Sequence, residues 1–154
     1  MGFLDKLKGA VNAVTGGGAK VTLEFSPATA FPGDPIRVKV SAQSTGAEIK
    51  SKGIFIDVHG TEHVQIKHNA VVGVNQDVNA TKTSLEQSFQ IAPEVVIAAN
   101  ETKLFEGTIT LPPNLQPSYQ GPFARHECLI RARVEAFGND PDSGFQPIRI
   151  GQKS

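Results

Sequence analysis

The sequence predicts an all-β fold, a two-sheet antiparallel β-sandwich, and three observations support that prediction. A length of 154 residues fits a single domain. Val, Ile and Thr together number 35 against eight Leu, a balance that favours strands over helices. Most segments alternate apolar and polar side chains and are separated by the 15 Gly and 10 Pro, as expected for half-buried strands joined by turns.

Residues 1–15 depart from this pattern and predict a short amphipathic helix. Its apolar residues recur at spacings of three and four: Phe3, Leu4, Leu7, Val11 and Val14. Lys6 and Lys8 lie beside this face. Residues 16–19 form a glycine linker to the body of the protein, because glycine favours helix termination. The apolar face predicts docking on the sandwich or on a second copy, and the lysines leave contact with a lipid interface open.

After residue 19 the period changes to two, and residues 20–154 predict a single sandwich domain. Residues 20–25 and 36–42 predict its first two strands, separated by a turn that contains two prolines and a glycine. Residues 54–66 predict a long strand that bends or bulges near its central glycine. Residues 69–84 mix short apolar pieces with Asn and Gly and predict a loop, with room for one weak strand.

The second half of the chain predicts four more strands. Residues 85–91, 105–111 and 124–136 alternate, and the last of these is long with one solvent-facing side. Residues 112–122 contain four prolines and predict an irregular connection. Pro147 interrupts the last strand, which predicts that this strand lies at a sheet edge.

Charge and cysteine content restrict the classes of function. Fifteen basic and fifteen acidic residues balance, so the sequence predicts no nucleic-acid partner. Cys128 is the only cysteine and cannot form an internal disulfide, which indicates a reducing compartment. The opening residues lack the continuous apolar stretch of a secretory signal, and no run approaches the length of a membrane-spanning helix. We therefore expect a cytoplasmic protein.

The four histidines do not have the spacing of a metal site. On a continuous strand, residues four apart such as His59 and His63 are separated by about 13 Å, which is too far for shared ligation. His68 points to the opposite face. His126 shares a face with Cys128, but the apolar neighbours on that face favour a packed, inert thiol over a nucleophile.

The part of the sequence that most resembles a basic patch is a set of three arginines on the exposed face of the long strand at residues 124–136. Glutamates interrupt Arg125, Arg131 and Arg133, so cross-strand charge pairing is a better interpretation than contact with phosphate or nucleic acid. No hydrolase, metalloenzyme or phosphate-loop motif occurs in the chain. The sequence therefore predicts neither an enzyme nor a cofactor.

The segment before this long strand carries a recognisable pattern, a strand ending in Leu-Pro and then a Pro-Ser-aromatic connection. Its residues are Leu111, Pro112, Pro117, Ser118, Tyr119 and Gly121. With the proline-glycine corner at residues 31–35, this pattern resembles the arrestin-like N-terminal domain over residues 20–150. Within that superfamily the sequence is most similar to the bacterial sporulation-control proteins.

This resemblance implies a non-catalytic intracellular adaptor or regulatory scaffold that binds protein partners through strand faces and loops. Those families have two sandwiches and this chain has length for one, so a homodimer is a further expectation, formed through the helix or by pairing of edge strands. The alternative is a peripheral membrane protein anchored by the amphipathic helix of residues 3–14.

Overall fold

The computed structural model describes residues 13–16, 18–73 and 75–152. These residues form eleven strands, and none of them belongs to a helix long and apolar enough to cross a membrane. The strands are β1 (Ala13–Gly16), β2 (Ala19–Ser26), β3 (Thr29–Ala30), β4 (Pro35–Ser44), β5 (Ile49–Ile66), β6 (Val78–Ala92), β7 (Val95–Ile97), β8 (Thr102–Thr110), β9 (Tyr119–Gln120), β10 (Ala124–Ala136) and β11 (Gln146–Ile150).

The strands form two sheets, which confirms the predicted all-β sandwich. The smaller sheet has the order β1-β2-β4-β8. The larger has the order β3-β11-β10-β5-β6, with β7 added beside β5 and β9 beside β10. Every pair is antiparallel except the short pair of β3 with β11.

One apolar core lies between the sheets. Alternate residues of β2, β4, β5 and β10 are buried, as the period of two in the sequence predicts. The largest fully buried side chains include Leu23, Ile36, Val40, Ile54, Ile56 and Ile130. Because each such side chain contributes about 1.5–3 kcal/mol when buried, this core supplies the main driving force for folding.

The segment before β2 differs from the prediction. Ala13–Gly16 form β1, which pairs antiparallel with β2, so the predicted helix is wrong at Val14. The predicted glycine linker falls partly within the paired strands, because Gly16 pairs with Ala19, and Gly18 has φ +100°. The edge of β2 offers ladder hydrogen bonds to this short segment, and Val14 and Thr15 are β-branched. The rest of the predicted helix lies outside the described residues.

Three other elements differ from the sequence prediction. β6 begins at Val78, inside the segment predicted as a loop, because pairing with β5 organises residues whose alternation is weak. β7 was not predicted at all. β11 is not an edge strand, because the two residues of β3 pair with Arg149 and Ile150 on its outer side. The register of β5 against β6 shifts between Gly60 and Thr61, where the irregularity was expected, but the extra residue lies in β6 and β5 keeps its register with β10 there.

Candidate functional site

The connection between β8 and β10 holds the six residues of the family-like pattern. It begins with Leu111, whose side chain is buried and whose carbonyl oxygen accepts a hydrogen bond from the backbone N–H of Gly33 at 3.1 Å. The carbonyl of Pro112 accepts from the N–H of Leu115 at 3.1 Å and closes a turn. The proline-glycine corner and the connection are therefore tied together at one end of the sandwich. A positive φ of 86° at Gly33 suits this corner.

Ser118 lies outside any strand, but it forms hydrogen bonds with the last residue of β11. Its N–H donates to the carbonyl of Ile150 at 2.9 Å, and its hydroxyl accepts from the N–H of the same residue at 2.9 Å. One serine thus satisfies both backbone groups at the end of β11. Further along, the N–H of Gly121 donates to the carbonyl of Ala124 at 2.8 Å and turns the chain into β10.

Tyr119 lies between these contacts and pairs with His126 through the β9–β10 ladder. Its hydroxyl donates to Oε2 of Glu62 at 2.9 Å. The carboxylate accepts a hydrogen bond from the protonated phenol and so stabilises that form. The contact therefore raises the pKa of Tyr119 above its ordinary value. The contact joins the connection to β5.

His126 is the buried polar group of this region, with 2% of its surface exposed. Nδ1 lies 2.9 Å from the carbonyl oxygen of Pro117, and Nε2 lies 2.6 Å from Oγ of Ser84. Since a carbonyl oxygen only accepts, the proton shared with Pro117 belongs to Nδ1. In the neutral ring Nε2 then accepts from the serine hydroxyl. His126 therefore connects β10 to both the connection and the outer strand β6.

Gly60 makes this long-range contact possible, because Ser84 must reach across β5 to meet His126. A Cβ placed on Gly60 would lie 2.5 Å from Oγ of Ser84 and 3.1 Å from Sγ of Cys128. Only glycine leaves the hydroxyl this space. The extra residue that the register shift inserts into β6 is Ser84 itself, because Gly60 pairs with Leu85 while Thr61 pairs with Thr83.

Cys128 is packed into the core beside this contact, with 2% of its surface exposed. Burial raises the pKa of its thiol to about 11, with a smaller contribution from Glu127. A nucleophilic thiol needs the opposite, a lowered pKa and solvent access. The geometry therefore supports the predicted inert cysteine.

Asp57 organises a charged cluster on the outer face of the larger sheet. Its carboxylate accepts hydrogen bonds from Nε of Arg131 at 2.8 Å, Nε of Arg133 at 3.0 Å and Oγ of Ser88 at 2.7 Å. Only 12% of the Asp57 side chain is exposed. Burial alone would raise its pKa, but the hydrogen bonds from Arg133, Ser88 and Arg131 outweigh burial and hold the pKa below the ordinary value.

Each of these arginines also stacks on an aromatic ring. The guanidinium carbon of Arg131 lies 4.6 Å from the ring centre of Phe145, and that of Arg133 lies 4.7 Å from that of Phe55. Asp140 approaches Arg133 at 3.4 Å from the loop after β10. The predicted charge pairing is therefore confirmed for both arginines.

His59 lines the same surface hollow as Asp57, whereas His63 and His68 have contacts elsewhere. Nδ1 of His63 lies 3.1 Å from Oγ1 of Thr81, and Nδ1 of His68 lies 3.0 Å from Oδ1 of Asp77. The described part of the chain contains no group of three or more side chains placed to hold a metal ion.

The candidate docking face of the predicted helix falls on residues that the structure does not describe. These are Phe3, Leu4, Lys6, Leu7, Lys8 and Val11. Val14 is placed in β1 by its backbone pairing with Val21. The role of this face stays a prediction.

Sequence reasoning missed the roles of Asp57 and Ser84, and at Gly60 it predicted a bend or bulge but not the contact that this glycine permits. Asp57 stands on the polar side of a strand, as most aspartates on strands do, and its arginine partners are more than 70 residues away in the chain. Gly60 gave a signal, because a glycine inside a strand indicates a bulge or a close approach. Nothing in the sequence indicated which serine would approach it.

Comparison with known proteins identifies the fold. The crystal structure of Spo0M, the sporulation control protein from Bacillus subtilis, matches with a TM-score of 0.63 and 19% sequence identity over 87% of this chain. The match covers 49% of that protein, so this chain spans about half its length. No family model and no curated protein matches the sequence. The chain therefore shares the fold of this sporulation control protein, which belongs to the group that its sequence pattern resembles.

Proposed function

We propose that this protein is a non-catalytic adaptor or regulatory scaffold that binds protein partners. The observation that carries the proposal is the fold shared with a sporulation control protein over 87% of the chain. Since one fold can serve many functions, the sites must also support the proposal.

The side chains that could take part in catalysis have structural contacts, and these contacts support a non-catalytic role. The Cys128 thiol is buried with a raised pKa, and the His126 ring is held on both nitrogens by Pro117 and Ser84. The Asp57 carboxylate is occupied by two arginines and a serine. Groups engaged in this way hold strands together and are not available to a substrate.

The outer strand β6 is a surface through which a partner could bind by strand addition. It is 15 residues long, it ends the larger sheet, and most of its residues are exposed. It contains no proline and only two charged residues, Lys82 and Glu86, and beyond the bulge at Ser84 its residues 85–90 keep a regular register with β5. A second copy of this chain is one partner that could pair there.

Chemical cross-linking followed by affinity capture from the cells of origin tests the proposal. The full chain is compared with Gln87→Lys, which places a charge on the exposed edge strand, and with Gln43→Lys, which places the same charge on the exposed side of the internal strand β4. We expect the same partner proteins with the unchanged chain and Gln43→Lys, and their loss with Gln87→Lys.

A reproducible set of partners unaffected by Gln87→Lys would keep the adaptor function and remove β6 as its surface. The absence of any reproducible partner would contradict the proposed function. Light scattering on the same three proteins measures whether a second copy binds at this edge.

Peripheral membrane attachment through the predicted helix is the second proposal, supported by its apolar face and neighbouring lysines. Flotation with anionic vesicles compares the full chain with a chain lacking residues 1–12, which retains β1. Equal flotation of the two proteins would remove this proposal.

A further inference from the structure

A polar hollow lies at the end of the larger sheet where the β5–β6 hairpin extends beyond β10. β10 begins at Ala124, opposite Val64, whereas β5 and β6 remain paired as far as Ile66 and Val78. The hollow has a volume of about 520 Å³ and is bordered on its other side by residues 120–125. The hairpin therefore protrudes from the sandwich with this hollow at its base.

The side chains lining the hollow are basic or neutral. His63, Lys67 and Arg125 line it together with neutral polar groups such as Gln65 and Asn79, and no acidic residue is among the described residues that line it. The chain as a whole has equal numbers of basic and acidic residues. Carboxylates outside the lining lie close to two of these groups, since Nε2 of His63 is 3.6 Å from Oε1 of Glu127 and Nζ of Lys67 is 3.8 Å from Oδ2 of Asp77.

Arg125 contributes a guanidinium that has no hydrogen-bond or ion-pair partner among the described residues, unlike Arg131 and Arg133 on the same face of β10. It pairs in register with His63, so the two side chains project from neighbouring positions. Lys67 lies 3.8 Å from Asp77, with 69% of its side chain exposed. Arg125 is therefore available to an external anionic surface, and Lys67 can reach one because its pair with Asp77 is exposed.

The tip of the same hairpin exposes apolar side chains. Val72 is fully exposed at 102%, and Val71 and Val78 are each 39% exposed. Phe123, on the border of the hollow, is 38% exposed. Apolar side chains are therefore presented to solvent at the tip of the hairpin and at the border of the hollow.

Asp77 is the only acidic residue in the tip segment, residues 67–78. Its Oδ1 accepts from the backbone N–H of His68 at 2.8 Å and lies 3.0 Å from Nδ1 of the same residue. Hydrogen bonds from the backbone and side chain of His68 lower the pKa of Asp77. The carboxylate is therefore engaged in holding the loop closed.

We propose that the tip of the β5–β6 hairpin is an attachment site for an anionic lipid surface. Val71 and Val72 enter the interfacial region, while Lys67 and Arg125 contact the negatively charged headgroups. Apolar side chains at the tip with cations behind them suit interfacial attachment, because apolar burial and attraction to anionic lipid add. This site is distinct from the predicted N-terminal helix and does not depend on the adaptor function.

Vesicle co-sedimentation of the full chain tests the proposal, with vesicles of phosphatidylcholine alone and of phosphatidylcholine with 30% phosphatidylglycerol. The test variant is Val71→Asp combined with Val72→Asp. The matched control is Phe137→Asp, because Phe137 is 94% exposed and follows the opposite end of β10. All of these positions are exposed, so the variants retain the core.

We expect the full chain to bind the anionic vesicles, the double variant to bind at least tenfold more weakly, and Phe137→Asp to lose much less affinity. Arg125→Ala should weaken binding roughly fivefold, with a smaller effect on neutral vesicles. A chain lacking residues 1–12 should keep the difference between the double variant and its control.

Three results would overturn the proposal. One is an absence of binding to the anionic vesicles, and another is equal binding by the double variant and Phe137→Asp. The third is binding that disappears with residues 1–12 and is unaffected at the hairpin tip. None of these results bears on partner capture by the same chain, so the adaptor function is tested separately.

Discussion

The two halves of β10 differ in where their polar side chains find partners. In the C-terminal half the inner face is apolar, with Ile130 and Val134 in the core, and the outer face holds Arg131 and Arg133 against Asp57. In the N-terminal half the inner face contains a hydrogen-bonded histidine, and the outer face leaves Arg125 without a partner among the described residues.

This difference separates structural arginines from arginines available for binding. An arginine that shares a half-buried carboxylate contributes to stability, because removing one partner leaves the other charge desolvated. An exposed arginine without a partner contributes little to stability. Residue type and position on the same face of one strand do not distinguish the two roles.

The largest expected effect comes from Asp57→Ala, which leaves Arg131 and Arg133 without their shared acceptor. We expect the free energy of unfolding to fall by about 3 kcal/mol, measured by urea denaturation. Glu106→Ala is the control, because it removes an ion pair with Lys39 in which both side chains are largely exposed, and it should cost less than about 1 kcal/mol. Equal losses would contradict a structural role for the Asp57 cluster.

The depressed pKa of Asp57 also predicts the acid dependence of stability. A carboxylate whose folded pKa lies below its unfolded value stabilises the protein above that unfolded value, near 3.8, and loses this contribution as the pH falls through its folded pKa. Asp57→Asn should therefore show less acid destabilisation than the unchanged chain below pH 4. Parallel stability curves for the two proteins in this range would show that Asp57 does not titrate with a lowered pKa.

Cys128 predicts a smaller effect at alkaline pH, in the N-terminal half of β10. Its folded pKa is raised from 9.0 to about 11, so the folded state retains the thiol proton more strongly than the unfolded state. The resulting stability is present below pH 9 and is lost as the pH rises to 11, by about 2 kcal/mol. Cys128→Ala should show less of this alkaline loss. An identical loss in the variant would mean that the thiol is solvated.

Gly60→Ala tests the space that Ser84 needs to reach His126. We expect a loss of about 1–2 kcal/mol, because the new methyl group displaces the Ser84 hydroxyl and leaves Nε2 of His126 without its partner. Gly46→Ala is the matched control, since a Cβ there has no atom within 4 Å. Thermal unfolding of the two variants measures the difference, and similar melting temperatures would show that the contact across β5 is unimportant.

The sequence predicted the parts of the fold that depend on local alternation. β2, β4 and β10 alternate clearly, because each has one face on the core and one face in solvent. The first half of β6 was predicted only as a loop with room for a weak strand, because residues 78–84 are exposed on both faces and no alternation is required. Val14 was assigned to a helix because its spacing fits one, while its pairing with β2 is a tertiary contact.

The sequence predicted the type of polar contact on this face but not the residues that form it. Charge pairing on the outer face of β10 followed from mixed arginines and glutamates, yet the main acceptor is Asp57 on the neighbouring strand. Which residues face each other depends on the strand register, and a shift of one residue would have placed Asp57 on the core side. The hollow at the hairpin base combines residues from three separate segments and has no motif in the sequence.

The most direct test of this account compares the unfolding free energies of Arg125→Ala and Arg133→Ala under identical conditions. Both variants remove one arginine from the outer face of β10, so differences in charge and strand propensity cancel. We expect a loss of about 2 kcal/mol for Arg133→Ala and no more than about 0.5 kcal/mol for Arg125→Ala. Equal losses would contradict the separation of structural and available arginines.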